Sequence, residues 1–178
     1  SEGVGKTLLD NVEVNSGQSV MDFGAGTGLL CGYVAPIVKR VVAVDISPAM
    51  LERLAQKVEL HGKVETVCQD VLKQPLSEEF DLIISAMALH HVKDTEGLLS
   101  AFAGHLAVGG RVALADLDKE DGSFHPADVQ GVYHHGFDRD ELLQLLEAAG
   151  FSDVEFVTAL EVERDGSSYP IFLVTARK

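Results

Sequence analysis

Apolar residues occur along this chain in short runs that alternate with segments of helical periodicity. Runs such as Val41 to Val44 are apolar at consecutive positions, as expected for parallel strands covered on both faces. Five runs predict strands, at Ser19–Phe23, Arg40–Val44, Val64–Cys68, Phe80–Ser85 and Arg111–Ala115. The predicted helices are a lead-in helix ending at Thr7–Val12, then Leu29–Ile37, Pro48–Leu60 and Thr95–Leu106. This alternation predicts an α/β fold.

The pattern changes after Asp116. A polar stretch reaches Asp138, which with Glu141 predicts the capped start of a helix that ends at Gly150. Two further strands are predicted, at Val154–Thr158 and Ile171–Ala176, joined by a hairpin-like loop over Glu161–Ser168. Because no helix separates them, we expect these two strands to be antiparallel to each other.

Length and composition limit the classes of function. The 178 residues, 46% of them hydrophobic, fit one domain with a continuous core. A formal charge of −14 disfavours binding to nucleic acid or to an anionic membrane surface, so a small molecule is the expected partner. Cys31 and Cys68 form no disulfide framework, and no apolar run approaches the roughly 20 residues of a membrane helix. We therefore expect a cytoplasmic protein.

A glycine-rich segment follows the first predicted strand. Gly24, Gly26 and Gly28 form a G-x-G-x-G pattern, and Leu29 stands where a dinucleotide-binding loop would have its last glycine. Asp22 adds a negative charge beside this loop, which would repel a pyrophosphate and attract the α-ammonium of a methionine moiety. The pattern favours S-adenosylmethionine over a nicotinamide cofactor.

Other strand ends supply further candidate contacts, because ligands in open α/β sheets bind beyond the carboxyl ends of the strands. Asp45 can accept hydrogen bonds from ribose hydroxyls, and Asp70 from an adenine amine. Ile46 and Met50 can form apolar walls for the ring. The backbone of Ser85 and Ala86, after the fourth strand, would lie near the amino acid end of the ligand.

These motifs together resemble the class I S-adenosylmethionine-dependent methyltransferases, specifically the small UbiE-like or type 11 members. The resemblance implies a Rossmann-like αβα sandwich with a seven-stranded sheet of order 3-2-1-4-5-7-6, in which strand seven is antiparallel. It also implies a set of cofactor contacts: Asp22, Gly24, Ala25, Gly26, Gly28, Asp45, Ile46, Met50, Asp70, Val71, Ser85 and Ala86. Family members carry an N-terminal lid, whereas here we expect a single domain over 1–178 without that lid.

Five histidines follow the fourth and fifth predicted strands and are expected at the mouth of the pocket. His90, His91 and His134 are the candidate bases, with Asp118, Tyr133 and His135 nearby, because imidazole ionises in the useful range. The alternative is local packing and hydrogen bonding. No helical H-x-x-x-H or C-x-x-C spacing occurs, so no metal is expected.

The leading hypothesis is a methyltransferase that acts on a small acceptor by in-line displacement and releases S-adenosylhomocysteine. One alternative is a non-catalytic module that binds S-adenosylmethionine as a partner or regulatory subunit. The other is a nicotinamide oxidoreductase, although the chain has no Tyr-x-x-x-Lys pair or second substrate domain. Oligomeric state and the acceptor atom stay open.

Overall fold

A computed structural model describes residues 2–178 and contains one seven-stranded sheet. The strands are β1 Ser19–Phe23, β2 Arg40–Asp45, β3 Val64–Cys68, β4 Phe80–Ala86, β5 Leu106–Leu117, β6 Ser152–Arg164 and β7 Ser167–Arg177. The helices are α1 Glu2–Asn11, α2 Cys31–Val34, α3 Pro48–Ala55, α4 Thr95–Gly104 and α5 Arg139–Ala148. In the described part of the chain, no helix is long and apolar enough to cross a membrane.

The sheet has the order β3-β2-β1-β4-β5-β7-β6, as predicted. β1 to β5 are parallel, and β7 runs antiparallel to both β5 and β6. The strand order reverses between β1 and β4, so the carboxyl ends of these two strands flank the usual ligand position of open α/β sheets. Asp22 lies near the end of β1, and Ala86 ends β4.

Helices cover both faces of the sheet. α1, α2 and α3 contribute to one apolar cluster, and α4 and α5 contribute to a second cluster on the other face. The central strands are therefore buried on both sides, with Val41 to Val44 at most 1% exposed, which explains their continuous apolar runs.

Local capping sets where three of the helices begin. The side chains of Ser47, Asp94 and Asp138 accept backbone hydrogen bonds at the starts of α3, α4 and α5. The bond from the Glu141 N–H to Asp138 is 3.0 Å long, in agreement with the predicted cap.

Two predicted helices are shorter than expected. The helix predicted over Leu29–Ile37 is α-helical only at Cys31–Val34, because Gly32 lowers helix propensity and Pro36 ends the pattern. The helix predicted to reach Leu60 ends at Ala55, whose carbonyl contacts the His61 ring at 2.9 Å. A 3-10 turn at Val58–Leu60 follows.

The last three strands are longer than predicted. β5 begins at Leu106, and the predicted turn at Gly109–Gly110 is an irregularity in its pairing with β4. β6 and β7 extend through the predicted loop and meet at a two-residue turn, where Asp165 and Gly166 have φ of 49° and 80°. An Asp-Gly pair with two positive φ angles is a favoured hairpin turn.

Candidate functional site

The glycine loop after β1 turns tightly because three residues have left-handed backbone. Gly24, Gly26 and Gly28 have φ of 65°, 55° and 83°, a conformation that other residues adopt at a cost. A Cβ at Gly24 would overlap the Cβ of Ala88, so the loop passes closely beneath the segment after β4. A Cβ at Gly26 would meet no described protein atom within 4 Å, so this glycine borders unfilled space.

That space is part of a cleft of about 380 Å³ at the carboxyl ends of β1 and β4. Six of the predicted cofactor contacts line it: Asp22, Gly24, Ala25, Gly26, Met50 and Ala86. A second cleft of about 450 Å³ lies between the loop before α5 and α5 itself, and shares none of these residues. The smaller cleft is the better candidate for a cofactor site because it combines the glycine loop with the reversal of strand order.

Asp22 carries an ionisable carboxyl group that is almost completely buried, since the residue is 1% exposed. Its Oδ2 has no hydrogen-bond partner within residues 2–178. Burial raises the pKa of Asp22 to about 8, and hydrogen bonds from Cys31 lower that pKa only in part. An unpartnered buried carboxyl in the wall of a cleft is costly, and a cationic ligand would remove the cost.

Asp45, at the end of β2, ties two loops together. Its Oδ2 accepts from the Gly26 N–H at 2.8 Å, and its Oδ1 accepts from the Ser47 N–H at 2.9 Å. Each carboxylate oxygen has a second lone pair, so both can still accept from hydroxyl groups. The next residue, Ile46, is 73% exposed and leaves an apolar side chain at the surface.

Gly28, also a predicted contact, lines a separate cleft with Leu29 and Lys57. Three further predicted contacts lie after β3 or near the end of β4. Asp70 Oδ1 accepts from the Leu72 N–H at 3.0 Å, which folds a small turn. The Val71 side chain belongs to the core and is 1% exposed, so only its backbone is free to meet a ligand. Ser85 is fully buried and donates to the Phe23 carbonyl at 2.8 Å. Ser85 thereby joins the ends of β4 and β1.

A buried pair joins His90, in the 3-10 turn after β4, to Asp116, near the end of β5. His90 Nδ1 lies 2.8 Å from Asp116 Oδ1. The carboxylate also accepts from the backbone N–H groups of His90 and Leu117, at 3.1 and 2.7 Å. Because Asp116 acts as an acceptor throughout, Nδ1 carries the proton and Nε2 is the nitrogen with a free lone pair.

The other candidate bases have different surroundings. The His91 ring centroid is 4.1 Å from that of His90, and His91 Nδ1 contacts the Gly131 carbonyl at 2.8 Å. His134 Nε2 contacts the Val92 carbonyl at 2.9 Å and Thr95 Oγ1 at 3.2 Å. The His134 ring therefore supports the start of α4, whereas His91 lies against the buried pair.

The sequence matches a family model described as a methyltransferase domain over residues 4–155. The chain belongs to this methyltransferase family. The methyltransferase domain is 32% identical over 168 residues to an uncharacterized methyltransferase of Schizosaccharomyces pombe, with 85% of this chain and 59% of the relative covered. It is 35% identical over 108 residues to one of Mycobacterium tuberculosis, with 60% and 54% covered. The chain thus spans less than two thirds of these relatives.

Solved methyltransferase structures share the fold of this domain. The S-adenosylmethionine-dependent methyltransferase of Mesorhizobium loti superposes with a TM-score of 0.76 at 21% identity, over 97% of this chain and 96% of that one. The N-methyltransferase NodS of Bradyrhizobium japonicum, in complex with S-adenosyl-L-homocysteine, superposes with a TM-score of 0.75 at 18% identity, over 99% and 84%. The predicted class I methyltransferase fold is confirmed.

Sequence reasoning missed one residue of this site. Asp116 was treated only as the end of a strand, while the acid named near the histidines was Asp118. In the structure Asp118 pairs with Arg139 at 2.7 Å, and Asp116 holds His90. The sequence did contain one indication of this pair, because Asp116 and His90 each follow a predicted strand and these two strands are neighbours in the sheet. No group of three or more His, Cys, Asp or Glu residues in 2–178 is arranged to hold a metal.

Proposed function

We propose that this chain is the cofactor-binding catalytic domain of an S-adenosylmethionine-dependent methyltransferase that acts on a small molecule. The observation that carries the proposal is the buried Oδ2 of Asp22, which has no partner within residues 2–178 and lies in a cleft lined by two left-handed glycines, Gly24 and Gly26. A carboxyl placed in this way matches an ammonium group and opposes a phosphate.

The residues around the cleft suit the parts of this cofactor. Asp22 would hold the α-ammonium, and Asp45 would accept hydrogen bonds from the ribose hydroxyls. Ile46 and Met50, 73% and 42% exposed, would cover the adenine ring with apolar surface. Asp70 and the backbone of Val71 would meet the polar edge of the adenine. This assignment also gives a binding role to Ile46 and Met50, whose apolar side chains otherwise face water.

S-adenosylmethionine, when bound, supplies an electrophilic methyl group for in-line displacement. The chain's own contribution is to orient the acceptor, exclude water and remove a proton where the acceptor carries one. Among the three candidate bases, His90 has the best geometry, because Asp116 fixes its proton on Nδ1 and leaves Nε2 to accept another. Asp116 also stabilises the imidazolium that results.

Two observations support a small acceptor. The formal charge of −14 disfavours nucleic acid. A methyltransferase of the same fold from Haemonchus contortus, with a TM-score of 0.80 at 17% identity, was solved with phosphomonomethylethanolamine and S-adenosylhomocysteine.

Titration calorimetry tests the cofactor assignment. We expect S-adenosylhomocysteine to bind the chain at one site, and Asp22→Asn to weaken it, while Asp10→Asn on the exposed face of α1 leaves affinity unchanged. No heat with either the donor or its demethylated product would contradict the proposal.

A second experiment tests catalysis. The longest natural form of the protein is incubated with S-adenosylmethionine and pools of candidate acceptors, and the release of S-adenosylhomocysteine is measured. Release that depends on an added acceptor supports the enzyme. Tight cofactor binding without release for any pool would favour the non-catalytic module instead.

A further inference from the structure

A short segment after β5 folds against the buried histidine pair. We call residues 120–125 the strap. The Glu120 carboxylate accepts from the backbone N–H groups of Gly122 and Phe124, at 2.7 and 3.2 Å. Asp121 Oδ1 accepts from the Ser123 N–H at 3.0 Å. These bonds close the strap into a turn of fixed shape, but they do not attach it to the sheet.

The attachment comes from the β6–β7 hairpin. The Arg164 guanidinium carbon lies 3.9 Å from the centroid of the Phe124 ring, and Nη1 donates to the Phe124 carbonyl at 2.7 Å. The Tyr169 ring packs edge-on against Phe124, with centroids 5.2 Å apart. Arg164 thus holds the same residue through its ring and through its backbone, a combination that a lysine cannot reproduce.

The residue after Phe124 reaches the buried pair. The His125 ring centroid lies 5.0 Å from that of His90 and 6.3 Å from that of His91. His125 Nδ1 is buried without a hydrogen-bond partner in the described chain. Burial lowers the pKa of His125, the charges of His90, His91 and Arg164 lower it further, and Glu120 opposes them. The His125 ring therefore lies beside His90 with one nitrogen that no described residue contacts.

We propose that Arg164 is a positioning residue, which holds the strap so that the His125 ring packs beside His90 and forms a side wall of the space in which an acceptor reaches His90. The inference rests on the proposed function, because it assumes that an acceptor delivers its proton to His90. It assigns a role to the hairpin, which projects beyond the part of β7 that pairs with β5. It also gives the unpartnered Nδ1 of His125 a use, as a contact for the acceptor.

The test compares Arg164→Ala, Arg164→Lys and a matched control, Arg177→Ala, at the other end of β7. Arg177 lies 3.9 Å from Asp153 and touches no part of the strap. Histidine titrations followed by NMR, on protein without ligands, report the position of His125 without any need for turnover. Arg164→Ala removes a charge that itself lowers the pKa of His125, so Arg164→Lys, which keeps a positive charge, is the variant that reports position. We expect Arg164→Lys to shift the ring signals of His125 and His90, Arg164→Ala to shift them further, and Arg177→Ala to change neither.

With an acceptor, we expect Arg164→Ala to raise KM for the acceptor by about 10- to 100-fold while cofactor affinity stays within about twofold. Unchanged His125 titration and unchanged KM in Arg164→Ala would overturn the inference. Loss of cofactor binding in the same variant would also overturn it, because that result indicates a general structural role. If no acceptor is turned over, the proposed function fails while the NMR comparison still decides the role of Arg164.

Discussion

The proposed cofactor cleft and the histidine cluster lie at the same end of the sheet, yet they are held in place in different ways. Asp22 and Asp45 lie on strands, and Asp45 is fixed by backbone N–H groups of two loops. His125 and His134 lie on the segment between β5 and α5, and side-chain contacts hold them. His90 stands between the two regions, buried like a strand residue but covered by the rings of His91 and His125.

This difference separates two tasks. Groups on strands keep one geometry, which suits a cofactor that is always the same. Groups on loops can change without disturbing the sheet, which suits an acceptor that differs between relatives of one fold. If the division is correct, changes on one side should alter cofactor affinity and changes on the other should alter turnover, with little overlap.

The largest expected effect comes from His90→Ala. Loss of a general base lowers kcat by about 10²- to 10⁴-fold, while affinity for S-adenosylhomocysteine stays within about twofold. Rates of S-adenosylhomocysteine release and calorimetry measure the two quantities. His61→Ala, an exposed histidine after α3, is the control and should leave both unchanged. A loss of cofactor affinity in His90→Ala would show that the two regions are not separate.

Asp22→Asn should have the next largest effect, on binding. Removing the charge opposite the ammonium weakens S-adenosylmethionine by about 10- to 100-fold. Adenosine has no ammonium group, so its affinity should stay nearly constant. Calorimetry with both ligands gives the comparison, and Asp10→Asn is the control. Equal weakening of both ligands would mean that Asp22 shapes the glycine loop rather than contacting the ammonium.

A smaller effect should appear in the pH dependence of stability. Burial raises the pKa of Asp22 to about 8 from an ordinary value of 3.8. Between these two values the unfolded chain has lost this proton while the folded chain keeps it. Stability without ligand therefore falls as pH rises through this window, by up to about 1.4 kcal/mol per pH unit.

Urea unfolding at several pH values between 5 and 8 measures this slope. Asp22→Asn should flatten it, because asparagine does not titrate, while Asp10→Asn should keep the slope of the natural sequence. Parallel curves for the natural chain and Asp22→Asn would contradict the raised pKa.

The smallest effect is expected for His134→Ala. The His134 ring contacts the Val92 carbonyl and Thr95 at the start of α4, so its loss should lower the free energy of unfolding by about 1 kcal/mol. We expect turnover to change by less than about threefold, since a base contributes far more. Thermal melts and rate measurements test both. A loss of turnover as large as that of His90→Ala would instead make His134 the base.

Much of the fold was predictable because parallel strands buried on both faces leave continuous apolar runs. The prediction was incomplete at the tip of the β6–β7 hairpin, where β7 pairs with β5 only from Ile171 onward. Most residues between Glu161 and Ser168 are exposed, so their polar composition resembles that of a loop. The end of α3 was also predicted too late. The contact between the His61 ring and the Ala55 carbonyl, which accompanies the true end, leaves no recognisable pattern in the sequence.

The site divides in the same way. Asp22 and Asp45 could be placed from the sequence because each follows an apolar run at a strand end. Asp116 and His90 lie 26 positions apart, so their pairing depends on the neighbouring placement of β4 and β5. The link from Arg164 through Phe124 to His125 depends on packing between distant loops. Periodicity carries no information about such contacts.

The most direct test of the account is the proton balance of cofactor binding at pH 7. Titration of S-adenosylmethionine into the protein in buffers of different ionisation enthalpy measures how many protons are released. Because burial raises the pKa of free Asp22 to about 8 and the carboxyl becomes ionised opposite an ammonium, the account predicts a net release of protons on binding. It also predicts that Asp22→Asn abolishes this release. Binding without proton release, or release that persists in Asp22→Asn, would contradict it.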